Sequence, residues 1–590
     1  MRSDLLKGVA LLGVSFLIVA VAIVNVIPPA NQYEISLYDA YPGYFWLFVV
    51  GAMFAGTLVI VGSVRRPGDR SWVFGLLLVL VTNGLLLLMP YIRGYQMYGR
   101  SDAMSHLGFV QDIVNTGGID GNIYPPIHLL VLAVADMTGA EPMTVAILIP
   151  PIFSAIYFGA MFYLLCFLFD TRERILFGLP FVMLPVLGHV HAGLRPFDLS
   201  IMLVPFVLYL LFKSQRNPTP RVRSPFVVSL VGLLLYHPLT ALFVVGVFSL
   251  YFGGRAMPGI RNQYITPTNV FSLSAVAFLA WYTNFTGIIL RFDRVYETLF
   301  GMDESEAPVD AYTGTVEQAS PALIDLIRIA TFRYGIEFLL FGLGFAFLGV
   351  ALLLFLRQEY ILDTNTTMLA GTLVLFSFGG LFFLLTDLIV PHERPFRIAT
   401  IGAVVLSGQL FYLLWGHSER IRHRQPFHTV FRFSIVVVLL LLVTLSVFGL
   451  YHSPLASESN HQVTEMEVKC AEWLTEHGTA AGDLSEFGMS YRRFYEAQHG
   501  TAEARPFWGT APPDHFGYTE HGYLGESYTA DSYLTITRQG RIVYPEAFPN
   551  YPEHWRFTST DFERLEQDIT TTRIYDNGGT TQYLVRGTGE

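Results

Sequence analysis

Three short stretches hold most of the side chains able to do chemistry at the edges of the apolar blocks in this chain. The first runs Gly99-Arg100-Ser101-Asp102-Ala103-Met104-Ser105-His106-Leu107, continues through Asp112 and Asp120, and reaches Tyr124-Pro125-Pro126. Between Ala103 and Asn115 the apolar positions Ala103, Leu107, Val110 and Val114 recur at helical spacing, which predicts an amphipathic surface helix ended by Gly117-Gly118. Asp102 stands at its start, with His106 one turn later on the same side. A carboxylate at a helix N-terminus is favoured by the helix dipole, which suits a general base or a cation ligand. Asp is also a favoured helix cap, and the two roles can coexist.

The second stretch, His189-Val190-His191-Ala192-Gly193-Leu194-Arg195-Pro196-Phe197-Asp198, gathers two histidines, an arginine and a carboxylate in a tight turn. His189, His191, Arg195 and Asp198 could bind a phosphate or help to hold a cation; alternatively, Asp198 caps the next helix. The third is Pro391-His392-Glu393-Arg394-Pro395-Phe396-Arg397. Arginine is the side chain best shaped for bidentate phosphate contact, so Arg394 and Arg397, with Arg195 and His392, are the natural anion-binding set, and Glu393 is a further substrate-binding candidate. The plainer alternative pairs Glu393 with Arg394 and leaves Arg397 to lipid headgroups. Asp387 is placed near the same face, whereas Asp136 and His237 are expected to be satisfied locally.

These stretches punctuate a chain of 590 residues that is 52% hydrophobic and 14% charged, against about 25% charged in an ordinary soluble domain. A single soluble globule is excluded, as is a disordered chain. The apolar blocks are 5–27, 43–64, 72–92, 144–169, 175–188, 199–212, 226–237, 239–252, 269–290, 335–356, 369–390, 399–416 and 433–451. In hydrocarbon such blocks must be helices, since every backbone group needs an internal partner. The expected fold is therefore a polytopic α-helical membrane protein of about 13 transmembrane helices, followed by a small C-terminal extracytoplasmic α+β domain. Strand-like runs at Ser532–Thr537 and Gln582–Arg586 support the sheet in that domain. Residues 126–138 reach only about 20 Å as a helix and are assigned to the membrane surface. Residues 226–252, broken by Pro238, read as a hairpin or one kinked helix.

Lys and Arg in the short loops put the N-terminus in the cytoplasm and residues 452–590 outside. The domains expected are thus 1–71 (two N-terminal transmembrane helices), 72–451 (a membrane core with outer loops 93–143, 189–198, 291–334 and 391–398) and 452–590. The last holds 21 Asp+Glu against 10 Arg+Lys, so no basic nucleic-acid footprint exists. Three lysines in the whole chain, beside this acidic portion, suggest a halophilic source, with codon bias as the alternative. Cys166 and Cys470 lie in different environments, so a disulfide is not expected.

Asp102-x-x-x-His106, an amphipathic juxtamembrane helix and then Tyr124-Pro125-Pro126 opening an apolar helix resemble the GT-C superfamily, with the match continuing to Cys166–Arg174. These are polytopic glycosyltransferases that use polyprenyl- or dolichyl-phosphate-linked sugars. The resemblance implies an inverting transferase on the outer face of the cell membrane, with Asp102 as catalytic base. It implies a lipid-phosphate-sugar donor and a glycan, lipid or protein acceptor, and places the family's second acidic position within His189–Asp198. Two helices, 5–27 and 43–64, precede what resembles the family's first. The Trp-Trp-Asp signature of oligosaccharyltransferases is missing, and Gly314-Thr315-Val316-Glu317 matches their flap motif only loosely. Single-sugar transfer is therefore expected over en bloc transfer to asparagine. No cofactor is implied with certainty, and the metal assignment stays open to a divalent cation. The rival functions are a transporter or flippase, against which no internal repeat is seen, and an assembly factor for surface polysaccharide.

Overall fold

A computed structural model describes residues 3–66, 68–256, 270–290, 321–358, 363–386, 390–420, 425–479 and 483–588. Among these, nine helices are long and apolar enough to cross a membrane: Asp4–Val26, Gly43–Gly62, Ser71–Ile92, Pro142–Leu168, Pro196–Arg216, Leu323–Leu356, Thr364–Leu385, Glu393–Gly416 and Thr429–Phe448. They coincide with nine of the thirteen apolar blocks. The shortest has 20 residues, about 30 Å of helix and enough for a hydrocarbon core.

The other four blocks form shorter helices, which are not among these nine. Arg172–Val182 has 11 residues, after which the chain runs irregularly to Leu187. Non-helical backbone survives at membrane depth only when protein surrounds it, and Leu184, Val186 and Leu187 have no exposed surface. The segment 226–252 is not one kinked helix. It is Pro220–Tyr236 and Pro238–Ala256, parted at His237, whose backbone is extended (φ −159°, ψ 130°). Proline pushes the residue before it out of the helical region, which accounts for the break. The last of the four, 269–290, holds the helix Val270–Tyr282.

Two loop boundaries also move. Leu323–Leu356 is a single helix of 34 residues, so residues 323–334, assigned above to the loop 291–334, are helical. Residues 291–320, including Gly314–Glu317, lie outside the described set, as does Asp387. The third chemical stretch is likewise no loop, because a helix starts at Glu393. The short helix Pro125–Thr138 buries Ile127, His128, Val131 and Ala135 on one side and leaves Met137 exposed.

The C-terminal sheet has the order β4-β3-β5-β7-β6, formed by β3 (Asp483–Phe487), β4 (Gly509–Thr510), β5 (Ser532–Thr537), β6 (Thr571–Asp576) and β7 (Thr580–Val585). β3 runs parallel to β4 and β5, and β7 is antiparallel to both its neighbours. A ribbon ties this domain to the bundle: β1 (Met97–Tyr98) pairs antiparallel with β2 (Gln462–Val463). Beside it Arg100, partly buried, bonds Glu467 and the Gly488 carbonyl. The two cysteines are free.

Candidate functional site

The amphipathic helix expected from Ala103 to Asn115 is Asp102–Thr116, closed by Gly117 in the left-handed conformation. The buried face is Ala103, Leu107, Val110 and Ile113, whereas Val114 points outward. Asp102 is the first helical residue, and the N-cap is Ser101, which makes no side-chain capping bond. The Asp102 carboxylate instead accepts from Arg493 Nη2 at 2.9 Å. Arg493 Nη1 also donates to Ser105 Oγ at 2.6 Å. Behind this pair Glu496, almost fully buried, accepts from Ser105, from Arg492 Nε at 2.7 Å and from Arg505 Nη1 at 2.9 Å.

His106 is buried, and burial pulls its pKa down from 6.5 to about 4. Its hydrogen bonds define the tautomer. The Asn122 Oδ1 oxygen accepts from Tyr124 N–H, so it is an acceptor toward His128 Nδ1 as well. His128 Nε2 then carries the lone pair and receives the proton of His106 Nδ1 at 3.0 Å. Neutral His106 is left with an Nε2 lone pair, able to accept a hydroxyl.

Asp102, Ser105, His106, Tyr124 and Arg493 line one wall of a cavity of about 420 Å³, and Arg195, Asp198, Glu393, Arg394 and Arg397 line another. The three stretches therefore converge. Each reaches the cavity through the first turn of a helix (Asp102–Thr116, Pro196–Arg216, Glu393–Arg420), where unpaired N–H groups and the dipole favour an anion. Arg195 Nε binds Asp198 Oδ2 at 2.6 Å. The Arg394 guanidinium lies over the Phe197 ring, 4.9 Å from its centroid.

Several expectations are corrected here. Glu393 pairs with Arg333 (3.7 Å), which also meets Glu458 at 3.1 Å. Arg397 does not meet headgroups. It is buried, bonded to Glu337 Oε1 at 2.5 Å and to the Leu187 carbonyl at 3.1 Å. His191 is fully enclosed beside Ser154 Oγ at 2.9 Å and does not line the cavity. His392 lines a neighbouring cleft instead. His237 is satisfied locally as expected, its Nδ1 accepting from Leu239 N–H at 3.2 Å, and its ring also lines the cavity and stacks on Tyr124 with centroids 5.5 Å apart. His189 does line the cavity, and its ring centroid lies 4.9 Å from that of His452. Burial holds His189 well below the ordinary histidine range.

The neighbouring cleft, about 470 Å³, is walled by Phe338, Phe341, Phe345, Phe378 and Leu381. Phe338 and Phe378 are exposed on the side of the bundle. Glu393 and Arg397 line both spaces, so a polar chamber and an apolar cleft share one wall.

Arg493 was invisible to motif reasoning. It comes from the helix Tyr491–His499 of the C-terminal domain, and no spacing rule joins positions so distant. Among the described residues no three His, Cys, Asp or Glu side chains come together as a metal ligand set.

No family model matches the chain, and no curated protein does. Among solved structures it is similar to the oligosaccharyltransferase of Archaeoglobus fulgidus in the apo form, at 12% identity over 87% of this chain and 74% of that one, with a TM-score of 0.46. The same enzyme in complex with Zn and sulfate gives 11% identity, 80% and 70% coverage and a TM-score of 0.45. ArnT from Cupriavidus metallidurans bound to undecaprenyl phosphate gives 9% identity, 88% and 98% coverage and a TM-score of 0.45.

Proposed function

We propose that the protein is an inverting glycosyltransferase that moves a sugar from a polyprenyl- or dolichyl-phosphate to a glycan, lipid or protein acceptor on the outer face of the membrane. One observation carries this reading. A carboxylate that is 65% exposed, Asp102, faces the same cavity as Arg195, Arg394 and Arg397, and that cavity shares a wall with an apolar cleft on the flank of the bundle. A polar chamber for a sugar phosphate beside a greasy groove for its tail is what an amphiphilic donor requires.

In this mechanism the acceptor hydroxyl binds against Asp102 and attacks the anomeric carbon from the face opposite the phosphate. The new C–O bond forms as the bond to the phosphate oxygen breaks, so the configuration inverts. The hydroxyl proton passes to Asp102 and is later released to water or to the departing lipid phosphate. Such a base typically contributes about 10²–10⁴-fold. Arg394, with Arg195 and Arg397 behind it, stabilises the charge that grows on the leaving phosphate. His106 Nε2 accepts from a sugar hydroxyl. The face bearing the C-terminal domain is extracytoplasmic on this reading, with the N-terminus inside.

The test is transfer of label. Purified full-length protein in detergent receives radiolabelled dolichyl-phosphate mannose or glucose, with a membrane extract as acceptor. Label should move from the lipid into a lipid-free product. Label that stays on the lipid under every condition would overturn the reading.

A further inference from the structure

We propose that Arg493, supplied by the C-terminal domain, is a positioning residue that holds the Asp102 carboxylate by Oδ1 and so presents Oδ2 to the acceptor hydroxyl. The inference rests on the function proposed above and adds a specific role for the outer domain in it.

The geometry separates orientation from adhesion. The helices Asp102–Thr116 and Tyr491–His499 are held together without this pair. A Cβ added at Gly108 would lie 2.5 Å from the Glu496 carbonyl oxygen, so the two backbones are in direct contact. Further along the seam Asp112 accepts from Thr501 N at 3.1 Å, from Ala502 N at 3.2 Å and from Thr501 Oγ1 at 2.5 Å. Arg100 and Glu467 add a partly buried ion pair beside it. Arg493 and Asp102 sit instead at the open end, on the cavity wall, where Asp102 is 65% exposed. A pair so exposed adds little to stability.

It does fix direction. One guanidinium nitrogen bonds Ser105 and the other bonds Asp102, so a planar fork is pinned at two points of one helical turn. Glu496 holds the guanidinium from behind, 3.7 Å from Nη1, and is itself clamped by Arg492 and Arg505. A carboxylate at an exposed helix start would otherwise sample several rotamers. With Oδ1 engaged, the base is held in one orientation before the acceptor arrives, and small misplacements of a catalytic group are costly.

The experiment uses full-length protein in detergent with labelled dolichyl-phosphate mannose or glucose and a membrane extract as acceptor. In Arg493→Ala, kcat should fall about 10–100-fold, with the KM for the lipid donor unchanged. Arg493→Lys should recover part of the rate, and millimolar methylguanidinium should rescue Arg493→Ala. Asp112→Asn, which loosens the same seam without touching Asp102, should keep the wild-type kcat. An unchanged or raised kcat in Arg493→Ala would overturn the proposal, and so would a loss that Asp112→Asn reproduces or that methylguanidinium leaves unrepaired. Wild-type protein that moves no sugar would overturn the proposed function and this role with it, whereas active wild type with an unaffected Arg493→Ala overturns the role alone.

Discussion

Asp102 and Arg493 are 391 positions apart in the chain and 2.9 Å apart in space. The contact joins the membrane bundle to the C-terminal domain at the rim of the cavity. It also makes Asp102 the side chain whose replacement is most informative. Asp102→Asn should lower sugar transfer about 10²–10⁴-fold while leaving membrane levels and melting temperature near wild type, because the lost ion pair is exposed. Transfer within a few-fold of wild type would remove Asp102 as the base.

Arg394 and Arg397 are three positions apart but should fail in different ways. Arg397 is bonded to Glu337 inside the bundle, so Arg397→Ala strands a buried carboxylate and should cost about 3–5 kcal/mol, read as a lower melting temperature. Arg394 lies over Phe197 at the cavity. Arg394→Ala should keep its melting temperature and raise the KM for the lipid-phosphate donor. Equal thermal losses in the two variants would contradict this division.

The thirteen apolar blocks and the three chemical stretches were legible in the sequence because both signals are local. Long uncharged runs announce helices, and a cluster such as Pro391–Arg397 announces an edge. The faces of short helices were harder. Val114 and Ile113 are adjacent, and only tertiary packing selects Ile113 as the buried one. His191 and His189 were equivalent by spacing, yet the turn encloses one beside Ser154 and leaves the other on the cavity wall. Glu337 and Arg493 were missed for one physical reason: each meets its partner across tens or hundreds of residues, and nothing in either local sequence records the pairing.

Acid should destabilise the protein. Burial draws His106 and His461 from 6.5 down to about 4, and it also holds His189 and His452 well below the ordinary range. Between 6.5 and the folded values the unfolded chain binds more protons, so stability is lost as pH falls through that window. Each such histidine contributes at most about 1.4 kcal/mol per pH unit. The melting temperature of the purified protein should therefore drop steadily from pH 7 to pH 5. His461→Gln should flatten the curve, and a flat curve for the wild type would contradict the buried, neutral state of these rings.

At Gly108 the helix Asp102–Thr116 meets the backbone of the helix Tyr491–His499. Gly108→Ala puts a methyl 2.5 Å from the Glu496 carbonyl and should cost about 1–3 kcal/mol by overpacking. Because the helix carrying Arg493 must shift, transfer should fall as well. Thermal melting alongside the transfer assay checks both; wild-type values in each would show that the contact is loose.

The most direct test of the account is a structure of the full-length protein with dolichyl phosphate bound. The phosphate should lie within hydrogen-bond reach, about 3 Å, of Arg394 and close to Arg195 and Arg397. Its isoprenoid chain should leave along the cleft of Phe338, Phe341 and Leu381. A phosphate seated outside this chamber, or a chain lying in another groove, would contradict the shared wall on which the proposed chemistry depends.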